Sequence, residues 1–119
     1  MDAMWERARE VGRLLAQTDE YKALKRANDR LADDRDAVAK MNRLGELQDG
    51  FALAMRRGSE PAQEEQDEYE KLVDAIQANP VYQGLVAAQS GFDRVMGRVN
   101  EEIARGIEAG EQSRIILPS

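Results

Sequence analysis

An Asn-Pro pair at residues 79 and 80 opens a run with helical rhythm, and that run limits the fold more than any other feature of the chain. Proline disfavours an α conformation in the residue before it, so Asn79 ends whatever helix precedes it. Asn79 can also cap the next helix, with Pro80 in its preferred first position. Val81, Leu85, Ala88, Phe92, Val95 and Val99 then recur at steps of four and three, a heptad seam. Ile103 and Ile107 continue at steps of four, which turns the seam around the helix. A helix over residues 80–109 is on the order of 45 Å long. A compact domain of 119 residues has a radius of gyration of only roughly 13–14 Å. The helix therefore protrudes or pairs with something as long. The first half of the chain can supply part of that pairing, and a second copy is the expected source of the rest, giving a homodimer.

The composition fits this all-α reading. Charged residues make up 34% and aromatics only 5%, a balance suited to long helices with narrow apolar seams rather than a broad aromatic core. Without cysteine there is no disulfide, thiolate nucleophile or cysteine-held cluster. Without histidine the commonest general base and metal ligand is missing as well. Carboxylates, carbonyls and hydroxyls remain, a set suited to Mg²⁺ or Ca²⁺ rather than zinc or iron, so no cofactor and no transition metal is expected. No apolar stretch is long enough for a membrane span and the first ten residues are already charged, so the expected location is the cytoplasm.

Upstream, Met4, Ala8, Val11 and Leu15 mark one face of a helix over residues 2–16, flanked by Trp5 and Leu14. Thr18 reads as an N-cap, with Asp19 and Glu20 in the first turn where the helix dipole favours carboxylates. Tyr21, Leu24, Ala27 and Leu31 follow on one face. Asp33, Asp34 and Asp36 mark either a second cap or solvated turns; the expectation is a near-continuous helix to about Arg57. Val38, Met41, Leu44, Gln48, Phe51 and Met55 step by three and four along its later half, weakened by Gly45 and Gly50. "RRGSEP" at 56–61 is a hairpin signal, with Gly58 at the left-handed C′ position, Ser59 as the next N-cap and Pro61 in the first turn. Tyr69, Leu72, Val73 and Ile76 give the next helix a short apolar face. The chain thus reads as one helical domain over 1–110, with a tail over 111–119.

Several features compete for a functional role. Gly84, Ala87, Ala88 and Gly91 form a small-residue patch where two helix axes could approach closely, since glycines in a helix otherwise cost stability. Gly97 has no such explanation. Asn100 is either a buried register-setting residue or a solvated one. Residues 59–79 hold seven carboxylates and one lysine, including Glu64, Glu65, Asp67 and Glu68. This run reads as a solvated helix half or an acidic docking surface for a basic partner. Residues 1–58 are close to neutral, and the overall charge of −6 argues against broad nucleic-acid binding by the chain alone. Arg56 and Arg57 could touch RNA, but paired arginines are common at helix ends. Ile115, Ile116 and Leu117 end the chain with an aliphatic cluster expected to pack onto this chain or a partner. No phosphate loop or nucleophile constellation is present, so the expectation is a non-enzyme.

The stretches "TDEYKALKRANDRLADD", "LQDGFALAMRRG" and "ANPVYQGLVAAQSGFDRVMGRVNEEI" resemble the YlbF/YmcA family of bacterial helical regulators. The matching positions are Thr18, Glu20 and Tyr21; Asn79 and Pro80; and Phe92, Val99, Asn100 and Ile103, within a likeness over residues 5–107. The resemblance implies an all-α protein that self-associates through long helices. It further implies a part in competence, sporulation and biofilm control, in a complex that influences ribonuclease-dependent messenger RNA maturation. Some members are associated with cysteine-held iron–sulfur clusters, which this cysteine-free chain does not share. The expected interaction residues are Gly84, Leu85, Ala88, Gly91, Phe92, Val95, Val99, Asn100 and Ile103. The expected partners are a second copy and either other helical regulators or a ribonuclease complex. The alternative is a helical protein that binds RNA through its N-terminal half.

Overall fold

The computed structural model of the chain describes the backbone of residues 1–116 and the side chains of residues 1–112. Five helices follow in order: α1 (Asp2–Ala16), α2 (Asp19–Asp33), α3 (Arg35–Arg56), α4 (Gln63–Ala78) and α5 (Pro80–Ile116). No strand occurs among the described residues, as the all-α expectation required.

Local chemistry sets the breaks. The Thr18 hydroxyl accepts the Tyr21 N–H at 3.1 Å and starts α2. Asn79 Oδ1 accepts the Val81 N–H at 2.8 Å and starts α5, with Pro80 as its first residue. Gly58 adopts φ 71°, its N–H bonds Met55 O, and the Ser59 N–H bonds Ala54 O at 2.9 Å. That pair of bonds is a Schellman closure and needs a residue without a Cβ at its left-handed position.

Four local expectations are corrected. The first half is not one near-continuous helix: Asp34, at φ −83° and ψ 90°, separates α2 from α3. Its Oδ1 accepts the Ala37 N–H at 3.1 Å, so the acid cluster does mark a second cap. Ser59 belongs to the end of α3 rather than the start of α4, because its N–H and hydroxyl both bond Ala54 O. Pro61 likewise lies outside α4, whose N-cap is Ala62. At the other end, α5 continues past residue 109 to Ile116, with no change of backbone at residue 110. The expected packing of Ile115, Ile116 and Leu117 lies outside the described side chains.

The helices form two antiparallel pairs joined end to end. In the stalk, α2 runs antiparallel to the first half of α5: the side chains of Asp34 and Asn79 are bonded at one end, and the Tyr21 and Phe92 rings meet edge-on at 5.6 Å towards the other. Leu24 and Leu31, two turns apart on α2, are buried. In the hairpin, α3 packs on α4 around Leu47, the most deeply buried side chain at 2% exposure, with the Phe51 and Tyr69 rings meeting at a tilt, 5.4 Å between centroids. Ala37 in the first turn of α3 and Ile76 in the last turn of α4 are buried at the base where the pairs meet.

The core is therefore thin, and the shape extended. The radius of gyration is 22.0 Å and the long axis 71 Å. The chain exposes 9463 Å², whereas a compact monomer of 13.4 kDa would expose roughly 6,500 Å². The excess reflects helix surface without an internal partner.

Candidate interaction surface

The seam of α5 divides into a covered half and an open half. Leu85, Ala88, Gly91, Phe92 and Val95 are half-buried on the side shared with α2. A Cβ added to Gly91 would lie 3.8 Å from an Arg94 Nη and 3.9 Å from Glu20 Cγ on α2, both ordinary contacts. At Gly84 nothing lies within 4 Å of a Cβ built there, and it lines a shallow groove with Ala23, Ala27 and Ala88. A Cβ would thus fit at both glycines, so the close crossing expected from the small-residue patch is not required within the chain. Asn100 is exposed and fixes no register within the chain. Gly97 is equally open, and nothing in the structure explains it.

The open half begins at Val99. Val99 and Ile103 share a shallow groove with Val11 of α1 and are flanked by Arg98 and Glu102. Beyond it every described residue of α5 is exposed. On the facing element, α1 buries no residue at all. Exposures of 51% for Trp5, 69% for Leu14, 56% for Ile103 and 64% for Ile107 leave large apolar side chains in water on both helices. An isolated helix of 15 residues is marginal in water, and most helix stability in proteins comes from packing an apolar face. The signal for this surface in the sequence is Trp5 and Leu14, which flank the main stripe of α1 and widen its apolar face beyond what one neighbour covers.

Charged residues are arranged around these surfaces rather than within a site. Arg43 holds Glu68 with bonds of 2.7 Å from Nε and 2.8 Å from an Nη, which ties α3 to α4. The guanidinium pulls the Glu68 carboxyl below its ordinary value, and Arg43 is raised in turn. Glu68 is thereby removed from the acidic run, of which Glu64, Glu65 and Asp67 remain exposed. Asp34 is also lowered, first by the Ala37 N–H and then by the Asn79 amide. Among the described residues no three carboxylates converge as metal ligands. No buried side-chain nitrogen or oxygen lacks a hydrogen-bond partner there.

Fold and surface together define an elongated all-helical protein whose distinctive feature is unpaired apolar helix rather than a cavity. The chain belongs to the YlbF/YmcA family: the family model described as "Control of competence regulator ComK, YlbF/YmcA" matches residues 4–108. Curated relatives include a UPF0342 protein of Lactobacillus acidophilus, 24% identical over 104 residues, covering 87% of this chain and 90% of the relative. A UPF0342 protein of Lactobacillus delbrueckii is 25% identical over 112 residues, covering 93% and 96%. Among solved structures the fold is similar to that in the crystal structure of Bacillus subtilis RicA in complex with RicF. The TM-score is 0.78 at 13% identity, over 91% of this chain and 96% of that one. No helix among the described residues is long and apolar enough to cross a membrane.

Proposed function

We propose that this protein is a non-enzymatic helical adaptor that works by self-association and by docking onto protein partners, with α1 and the outer half of α5 as its contact surface. One observation carries the reading: Trp5, Val11, Leu14, Ile103 and Ile107 stay exposed on α1, which buries no residue, and on the outer part of α5, where every described residue past Val99 is exposed. An interface of standard size removes about 800 Å² from each partner, well within the excess surface of this chain. Family membership supports a regulatory role, and a structure of the same fold was solved in a complex of two proteins. The further step, to ribonuclease-dependent messenger RNA processing, is the role that the family resemblance implies.

Light scattering tests the self-association. The expected mass is twice the 13.4 kDa of the chain, falling to one chain in Ile103→Glu while helicity by circular dichroism is kept. A wild-type protein that is monomeric at every concentration would rule out the second copy. A dimer unaffected by Ile103→Glu and by Val11→Glu would place the contact elsewhere.

A second reading has one specific observation in its favour. Lys22, Arg26 and Arg30 step by four along α2 and make no ion pair among the described residues, and Arg26 and Arg30 line the open groove at Gly84. RNA bound there would dissociate steeply with added salt. Absence of RNA binding at low salt would remove this reading.

A further inference from the structure

The hairpin α3/α4 and the stalk α2/α5 are joined by two chain crossings, and each is a single residue long. Asp34 is the only residue between α2 and α3, and Asn79 the only one between α4 and α5. Both leave the helical conformation, with ψ 90° at Asp34 and ψ 120° at Asn79. The two residues also touch: Asn79 Nδ2 donates to Asp34 Oδ2 at 3.1 Å. Each uses its remaining oxygen as a helix cap, Asp34 Oδ1 for Ala37 and Asn79 Oδ1 for Val81. The starts of α3 and α5 are thus tied through one side-chain bond.

We infer that Asp34 and Asn79 form a two-point hinge between hairpin and stalk, and that the bond between them is the latch that fixes its angle. Two adjacent single-residue links define an axis about which one helix pair can turn while each pair stays intact. Hinges in proteins are a few residues at element ends that absorb changes in φ and ψ. Beside these links the joint holds the apolar packing of Ala37 and Ile76, which has no fixed direction, and few polar contacts that would set an angle. Among the described residues no ion pair links hairpin to stalk, since the strong pair Arg43–Glu68 lies wholly inside the hairpin. The other side-chain bond across the joint, from Gln83 Nε2 to Gln77 O, stays within the α4–α5 link and permits rotation about it. The long axis of 71 Å falls short of the roughly 90 Å that α5 and α3 would span in line, so the pairs already meet at an angle. With a lever of about 33 Å along α3, a turn of 10° moves the hairpin tip by about 6 Å. The stalk surfaces keep their geometry during such a turn. The hinge therefore changes the shape of the adaptor without disturbing its contact face.

The absence of cysteine makes the test direct, because two introduced cysteines are the only thiols. Spin labels at Met55→Cys, 77% exposed near the hairpin tip, and Arg105→Cys on α5 report the angle by pulsed electron paramagnetic resonance. The labelled protein is diluted with unlabelled chain so that only distances within one chain are read. Asp34→Asn keeps a capping oxygen for α3 but replaces the acceptor facing Asn79 with an amide. The expected result is a mean distance shifted by several ångströms or a clearly broader distribution, with a stalk pair at Arg26→Cys and Glu101→Cys unchanged. A distribution identical to wild type overturns the latch. Equal broadening in the stalk pair also overturns it, since that would be general loosening. Should Asp34→Asn lose helicity, Asn79→Ser, which keeps a cap but is too short to reach Asp34, is read by the same criteria.

Discussion

Arg43 and Glu68 lock the hairpin across α3 and α4 through two hydrogen bonds of 2.7 and 2.8 Å, although both side chains remain about two-fifths exposed to water. A carboxylate held below its ordinary value favours the folded state only while it is ionised. For Glu68 the contribution is complete above its ordinary value of 4.5 and is lost as pH falls through the lower folded value. Asp34 behaves alike below 3.8. Solvent screening keeps the effect modest. The expectation is that urea midpoints fall in the acid range below these values, and that Arg43→Gln flattens the part due to Glu68. An acid limb identical in the variant and the wild type would mean that the ion pair contributes nothing.

Leu47 anchors the hairpin at 2% exposure. Leu47→Ala should cost about 2–5 kcal/mol, the range for a buried leucine truncated in a core that relaxes only partly. In a chain with so thin a core that is a large share of total stability. A denaturation midpoint that barely moves would show that the hairpin does not limit unfolding.

Phe92 faces Tyr21 of its own chain. Phe92→Ala should therefore destabilise the fold, by roughly 2–3 kcal/mol for a half-buried ring against 3–5 for a fully buried one. The mass of the folded protein should stay as in wild type. Loss of mass without loss of stability would instead assign Phe92 to a contact between chains.

The two glycines with clear geometry should respond in opposite directions. Gly84→Ala meets no atom within 4 Å and should gain up to about 1 kcal/mol from helix propensity. Gly58→Ala forces an L side chain to φ 71° and should lose about 1 kcal/mol. Thermal melts of the pair measure both. A destabilised Gly84→Ala would mean that the groove at this position is closed by another chain in solution.

Much of the fold was legible because its signals are local. Thr18, Gly58, Asn79 and Pro80 act through bonds to residues two to five positions away, so their roles follow from the sequence at those points. Asp34 was ambiguous because a carboxylate in a run of acids suits both a cap and a solvated turn. Its bond to the Ala37 N–H makes it a cap, and its second bond, to Asn79 45 positions away, has no local signal at all. The seam of α5 was equally legible as a seam, but its periodicity does not say what covers it. That depends on where α2 ends and how far α1 reaches, which are matters of tertiary geometry. The open surface around Val11 and Ile103 was for that reason split, with Ile103 expected to make contacts and Val11 passed over.

The pairing of α2 with α5 joins segments some sixty positions apart, whereas α3 and α4 are neighbours along the chain. Contacts between nearby segments close quickly and distant ones late. On the ribosome the hairpin can therefore assemble as soon as it has emerged. Leu24 and Leu31 must wait until α5 follows, and for that interval the nascent chain carries an uncovered aliphatic face to which chaperones or a second nascent copy have access.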